Sequence, residues 1–138
     1  PEFCIYNDVV VFDSEGDFTI YGYPEAVFPP TDFHSATLVG AYIYLIGSLG
    51  YRGKRHYGET PVYRLDTNTF VMQRLHTTGD KPGWISRHRA KLGDDRSILI
   101  TGGKVCRLEE DIEEYLENNE RYVLDLEHMK WRRETGSY

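Results

Sequence analysis

The sequence predicts an all-β chain built from repeated four-stranded antiparallel units. Three observations predict it. One pattern occurs twice, with a partial third copy ahead of it. Short runs rich in Tyr, Ile, Val and Leu carry strand propensity and lack helical periodicity. Gly, Asp and Asn clusters punctuate those runs at turn spacing. Phe33-His34-Ser35-Ala36-Thr37-Leu38 leads to Tyr42-Ile43-Tyr44-Leu45-Ile46-Gly47, and Ser86-Arg87-His88-Arg89-Ala90-Lys91-Leu92 leads to Ser97-Ile98-Leu99-Ile100-Thr101-Gly102-Gly103. Repetition with a period of about 50–60 residues indicates an array of similar units.

The first predicted strand of each unit carries His-x-Ala and ends near Leu38 or Leu92. The second ends at Gly47 or Gly102, and the third ends in Asp, as Val62–Asp66 and Tyr122–Asp125. The fourth is expected to start with an aromatic, Phe70 or Trp131. Val9–Asp13 followed by Phe18 supplies the third and fourth strands of the partial copy. Gly40, Gly93-Asp94-Asp95 and Asp66-Thr67-Asn68 separate the runs. Asp at the end of strand three can hold the backbone amides of the turn after it. Glycine after strand two permits close backbone approach.

This order of residues resembles the kelch repeat of β-propellers. The matching residues are Pro82, His88, Ala90, Gly102, Gly103, Tyr122, Asp125 and Trp131 in the last copy. In the middle copy they are Pro30, His34, Ala36, Gly47, Tyr63, Asp66 and Phe70. The pattern departs at Ser48, where a second glycine is expected, and at Phe18 and Phe70, where Trp is usual. The resemblance implies about two and a half blades, as a partial propeller or a fragment of one. Residues 1–3 read as a cloning scar. Residues 4–32 form a half blade with its connector, 33–76 one blade, and 77–138 a second blade with an insertion. An incomplete array exposes strand edges and apolar blade faces, which oligomerisation would cover.

The 138 residues carry a formal net charge of −6, which argues against nucleic acid as the primary partner. No apolar run approaches the roughly 18 residues of a membrane span. The two cysteines, Cys4 and Cys106, make no disulfide framework and fit free thiols in a reducing, cytoplasmic compartment.

The segments joining strands two and three are long and opposite in character. Leu49–Pro61 is basic, with Arg52, Lys54, Arg55 and His56. Lys104–Arg121 is acidic, with Glu109, Glu110, Asp111, Glu113, Glu114, Glu117 and Glu120. Leu108, Ile112, Tyr115 and Leu116 fall on one helical face, which predicts a short helix at about 107–119 with acidic residues in its first turn. Equivalent connections lie on one face of the array. Contacts between Arg52, Lys54 or Arg55 and the Glu109–Glu117 run are therefore expected, as exposed pairs worth about 0.2–1 kcal/mol each.

His34 and His88 recur at one repeat position, which favours an architectural role with the imidazole bonded to backbone or to a neighbouring unit. The sequence contains no metal-ligand spacing such as Cys-x-x-Cys or His-Glu-x-x-His, and no phosphate-binding glycine loop. Acidic neighbours oppose a nucleophilic Cys106. No catalytic residue, metal or cofactor is therefore expected.

The resemblance implies a non-catalytic protein-interaction module whose long loops bind a protein or peptide. The recognition segments would be Tyr23–Asp32, Gly50–Glu59, Thr77–Ser86 and Lys104–Glu120. Arg52, Arg55, His56, Tyr57 and Trp84 are the candidate binding residues, since Arg, Tyr and Trp are enriched at interface hot spots. Two other readings stand beside it. One is a structural unit whose blades complete a propeller by homo-oligomerisation. The other is a piece of a kelch-like enzyme, such as a sugar epimerase or oxidase.

Overall fold

The computed structural model describes residues 3–94 and 96–134. Pro1-Glu2 of the proposed cloning scar, Asp95 of one predicted turn and the last four residues of the 77–138 unit lie outside the described residues. All regular structure among the described residues is β. No helix there is long and apolar enough to cross a membrane.

The partial copy is the two-stranded sheet β1 (Val9–Phe12) and β2 (Phe18–Tyr21). The middle copy is a four-stranded meander, β3 (Ser35–Val39), β4 (Tyr42–Ile46), β5 (Val62–Asp66) and β6 (Met72–Arg74). After it come β7 (Thr78–Gly79) and β8 (Trp84–Ser86). The last copy is β9 (Arg89–Leu92), β10 (Ser97–Thr101), β13 (Arg121–Asp125) and β14 (Lys130–Glu134). It too is an antiparallel meander, extended by the short parallel strand β7 along β14. None of these sheets closes on itself.

The acidic insertion is a β-hairpin, not the helix expected at 107–119. β11 (Lys104–Glu109) and β12 (Ile112–Glu117) pair in full register, and β8 adds to β11 as a third strand. Glu110 and Asp111 make the two-residue turn at φ 50° and 63°, the left-handed geometry that right-twisted hairpins need. The glutamates favour helix, but an isolated helix this short is marginal, and pairing to Trp84–Ser86 satisfies the backbone instead. Alternation then separates the supposed helical face. Tyr115 lies opposite Cys106, while Leu116 lies opposite Val105 on the other side.

The aromatic of strand four also sits differently from the expectation. Trp131 pairs with Leu124, and the residue in that register opposite Leu65 is Met72, not Phe70. Phe70 lies in the preceding turn at φ 59°, where the last copy has Met129 at φ 49°. The Asp expectation holds in each copy. Oδ1 of Asp13, Asp66 and Asp125 accepts the amides of Glu15, Asn68 and Glu127 at 2.8–2.9 Å.

Two cores follow from the stacking. Tyr44, Ile46 and Val62 on one face of the middle sheet pack with Ile98, Ile100, Leu124 and Trp131 of the last. Leu65, Met72 and Tyr63 on its opposite face pack with Phe28 and Val9 from the partial copy and its connector. At the seam, Gly47 has φ 83°, and a Cβ there would lie 2.4 Å from the His88 ring. The glycine is what lets two neighbouring sheets approach.

Trp131 is 1% exposed, and its Nε1 donates to Thr77 Oγ1 at 3.1 Å. Trp131→Ala should therefore cost about 3–5 kcal/mol in urea denaturation. A near-neutral result would contradict a ring buried between the two sheets.

Candidate functional site

The recurring histidines take different roles. His88 is buried and its Nε2 lies 3.0 Å from Ser35 Oγ of the neighbouring sheet, the architectural role expected. Its Nδ1 has no hydrogen-bond partner. Burial holds this imidazole down to about 4, against the Ile46 carbonyl, which favours the proton. His34 is exposed. Its counterpart, His88, finds its partner on β3 of the four-stranded sheet beside it.

The basic loop between β4 and β5 and the hairpin meet, as their charges predict. Arg55 Nη1 donates to Glu113 Oε1 at 2.6 Å and to Tyr115 Oη at 2.8 Å. Its Nε and Nη2 donate to the Leu49 and Gly50 carbonyls at 3.0 and 3.1 Å. The Tyr57 hydroxyl donates to Glu113 Oε2 at 2.6 Å. The Arg55 and Glu113 side chains are 6% and 18% exposed, so this is a largely buried pair, not the exposed contact expected. Hydrogen bonds from Tyr115 and Tyr57, with the Arg55 charge, hold the Glu113 carboxyl down to about 2. Burial pulls the Arg55 guanidinium down, and Tyr115 and Glu113 more than reverse this. Cys106 beneath the pair is raised by burial and by Glu113, so its thiol is no ready nucleophile.

Beside this clamp lies a cavity of about 500 Å³. Three of the four expected recognition segments line it. Glu25, Ala26, Pro29, Pro30 and Thr31 come from the connector after β2, Tyr51, Lys54, His56 and Glu59 from the basic loop, and Thr77, Lys81 and Trp84 from the segment before β9. Arg74, Leu75 and His76 at the end of β6 close it. Local bonds fix these walls. Asn7 Nδ2 donates to the Tyr23 and Phe28 carbonyls at 2.9 and 2.8 Å. Asp32 Oδ1 accepts the Gly50 amide at 2.8 Å, and Thr60 Oγ1 donates to the Gly83 carbonyl at 2.7 Å.

The predicted binding residues therefore divide. His56 and Trp84 line the cavity, ring centroids 5.9 Å apart. Trp84 is mostly buried and its Nε1 is taken by the Leu49 carbonyl at 2.8 Å. It is a wall, with only an edge left for a ligand. Arg55 and Tyr57 are spent on Glu113, and Arg52 is exposed and outside the lining. The sequence reading missed Arg74 and His76, and it did not single out Lys81. Lys81 lies within a segment already expected to recognise a partner. Arg74 and His76 had no signal beyond their place at the end of strand four.

The lining is charged on both sides. Lys81 Nζ meets Glu59 at 2.9 Å, and Lys54 lies 3.9 Å from Glu25. Arg74 adds a further cation. Asp125, Glu127 and His128 also gather, on the exposed turn before β14. There Asp125 already binds the turn amide and His128 Nδ1, the latter at 2.8 Å, which raises the imidazole and lowers the carboxyl. The chain matches no family model and no curated protein.

Two predictions follow from the seam and the clamp. The folded-state pKa of His88 lies below the ordinary 6.5, so the fold prefers the neutral ring. That stability is complete above pH 6.5 and is lost as pH falls toward 4, by about 3 kcal/mol in total. Denaturation at pH 7, 5.5 and 4 should show the slope in the wild type, and His88→Gln should flatten it. The Glu113 contribution is lost lower, between 4.5 and about 2, which keeps the two apart. Arg55→Ala leaves Glu113 without its charge partner and should cost about 2–4 kcal/mol at pH 7. A loss below about 0.5 kcal/mol would place this pair with ordinary surface ion pairs.

Proposed function

We propose that the chain is a non-catalytic protein-interaction module of kelch-like blades, in which the cavity between the loops takes an extended, acidic segment of a partner. The observation that carries this reading is the cavity itself. It is a concave site of ordinary ligand-pocket size, built by loops held on rigid strands, and lined by Tyr51, Tyr63 and Trp84 together with Lys54, Arg74 and Lys81. Three cations stand there against the two carboxylates Glu25 and Glu59, and His56 and His76 add further donors. An acidic segment with an apolar or aromatic residue fits both features.

The kelch-like reading rests on the sequence pattern, on the two four-stranded antiparallel meanders, and on the glycine–histidine seam between them. Catalysis has little to support it. The lowered carboxyl of Glu113 and the raised thiol of Cys106 are both explained by the clamp that joins loop to hairpin. Two free thiols, Cys4 and Cys106, suit a reducing compartment such as the cytoplasm.

Selection from a random peptide library is the direct test. It should return segments enriched in Asp and Glu with an aromatic or aliphatic residue. Lys81→Glu and Arg74→Glu should each weaken the selected peptide by tenfold or more at low salt, with smaller losses at high salt. Enrichment of basic segments, or binding indifferent to both charge reversals, would remove the cavity as the site.

A further inference from the structure

We propose that the cavity is the first of two equivalent anion subsites, and that Tyr122 and Arg133 form the second, which takes another acidic residue of the same extended segment. The proposal rests on the reading of the cavity as the site of an acidic segment. It adds a second anchor and a spacing to that reading.

The repeat places the two subsites. Tyr63 lies opposite Arg74 in the middle sheet, and Tyr122 lies opposite Arg133 in the last. Each couple stands two residues along from a buried pair, Leu65 with Met72 and Leu124 with Trp131. Strand alternation therefore puts each couple on the same sheet face as its buried pair. The buried pairs fill the seams between neighbouring sheets. Arg74 and Arg133 stand further along those faces, and both are exposed.

Each couple lines a hollow. Tyr63 and Arg74 line the cavity already described. Tyr122 and Arg133 line a second pocket, completed by Gly58 of the basic loop and by Gly79 and Asp80. Glu59 and Lys81 belong to both linings, so the two hollows adjoin across this ion pair. Lys81 Nζ and Glu59 engage each other at 2.9 Å. Among the described residues, the side chains of Arg74 and Arg133 make no salt bridge or hydrogen bond. One uncommitted guanidinium therefore stands on either side of the pair.

The chemistry of the two couples matches. Burial raises both phenols, and the arginine opposite each acts against it. A guanidinium and a phenol hydroxyl are both donors suited to a carboxylate. Asp80 opposes an anion in the second pocket, which makes that subsite the weaker one. Stacked sheets lie about 10 Å apart. A chain in polyproline-II extension rises about 3.1 Å per residue and returns to the same side every third residue. The matching acids are therefore about three positions apart.

Fluorescence anisotropy at low salt tests this, with two short labelled synthetic peptides. One carries a leucine and two glutamates about three positions apart. The other has the second glutamate replaced by glutamine. Arg133→Gln should weaken the two-glutamate peptide by about fivefold, the upper range for an exposed ion pair, and leave the one-glutamate peptide unchanged. Arg74→Gln should weaken both. Asp80→Asn should tighten the two-glutamate peptide alone. Circular dichroism should be unchanged in all three variants, because the substituted residues are exposed. If Arg74→Gln weakens binding and Arg133→Gln does not, the second subsite is overturned and the cavity stands. Equal weakening of both peptides by Arg133→Gln, or weaker binding in Asp80→Asn, would also overturn the second subsite. Failure of the wild type to bind either peptide would remove the cavity reading and this proposal together.

Discussion

The structure depends on one constraint: each sheet of the array is too thin to bury its own side chains and must be covered by its neighbour. Tyr44, Ile46 and Val62 are buried because Ile98, Ile100 and Trp131 stand against them. Each apolar side chain so covered contributes about 1.5–3 kcal/mol relative to exposure. The seam must be close for this burial to be complete, and Gly47 sets the distance. With no side chain, it admits the His88 ring and the Ile85 carbonyl, both closer than any Cβ would allow. Burial there disfavours a charged imidazole, and the neutral ring meets Ser35 Oγ across the seam.

Stacking also places the loops. Connections between strands two and three emerge together, as do those between successive sheets, because every sheet runs in the same sense. This brings the basic β4–β5 loop against the acidic hairpin and the connector after β2. The resulting positions are not interchangeable. Arg55 is consumed as a structural tie, donating to the Leu49 and Gly50 carbonyls, to Glu113 and to Tyr115, with the Cys106 sulfur 3.8 Å from Nη1. Lys54, one residue earlier, points instead toward Glu25 and the cavity.

Most strands were legible in the sequence because alternation and turn chemistry agree there. Asp13, Asp66 and Asp125 mark strand ends, and each performs the turn capping its chemistry suggests. The hairpin was misread because Leu108, Ile112, Tyr115 and Leu116 satisfy a helical period, although the hairpin divides them between its two faces. What decides between them is the distant strand Trp84–Ser86, which local spacing does not contain. Phe70 was misaligned with Trp131 for a related reason, since an aromatic at the left-handed turn position imitates one near the start of the strand that follows. The Arg55–Glu113 contact was legible from opposite charges in equivalent connections. Its burial was not, because that depends on Tyr57 and Tyr115 closing over it. Arg74, His76 and Lys81 reach the cavity only through the stacking of separate segments, and nothing local to them announces it.

The clamp and the cavity share a wall, and this gives the hairpin a mechanical role in the proposed recognition. The loop that carries Tyr51, Lys54, His56 and Glu59 into the cavity is the same loop whose carbonyls at Leu49 and Gly50 are held by Arg55. Arg55 is in turn held by Glu113 of β12. A loop with this glycine content, at Gly50, Gly53 and Gly58, would otherwise lose more entropy on meeting a ligand. In the proposed recognition, the hairpin would therefore order the loop ahead of binding. The acidic insertion then acts on the cavity without lining it, and its negative charge is used internally to orient a basic loop.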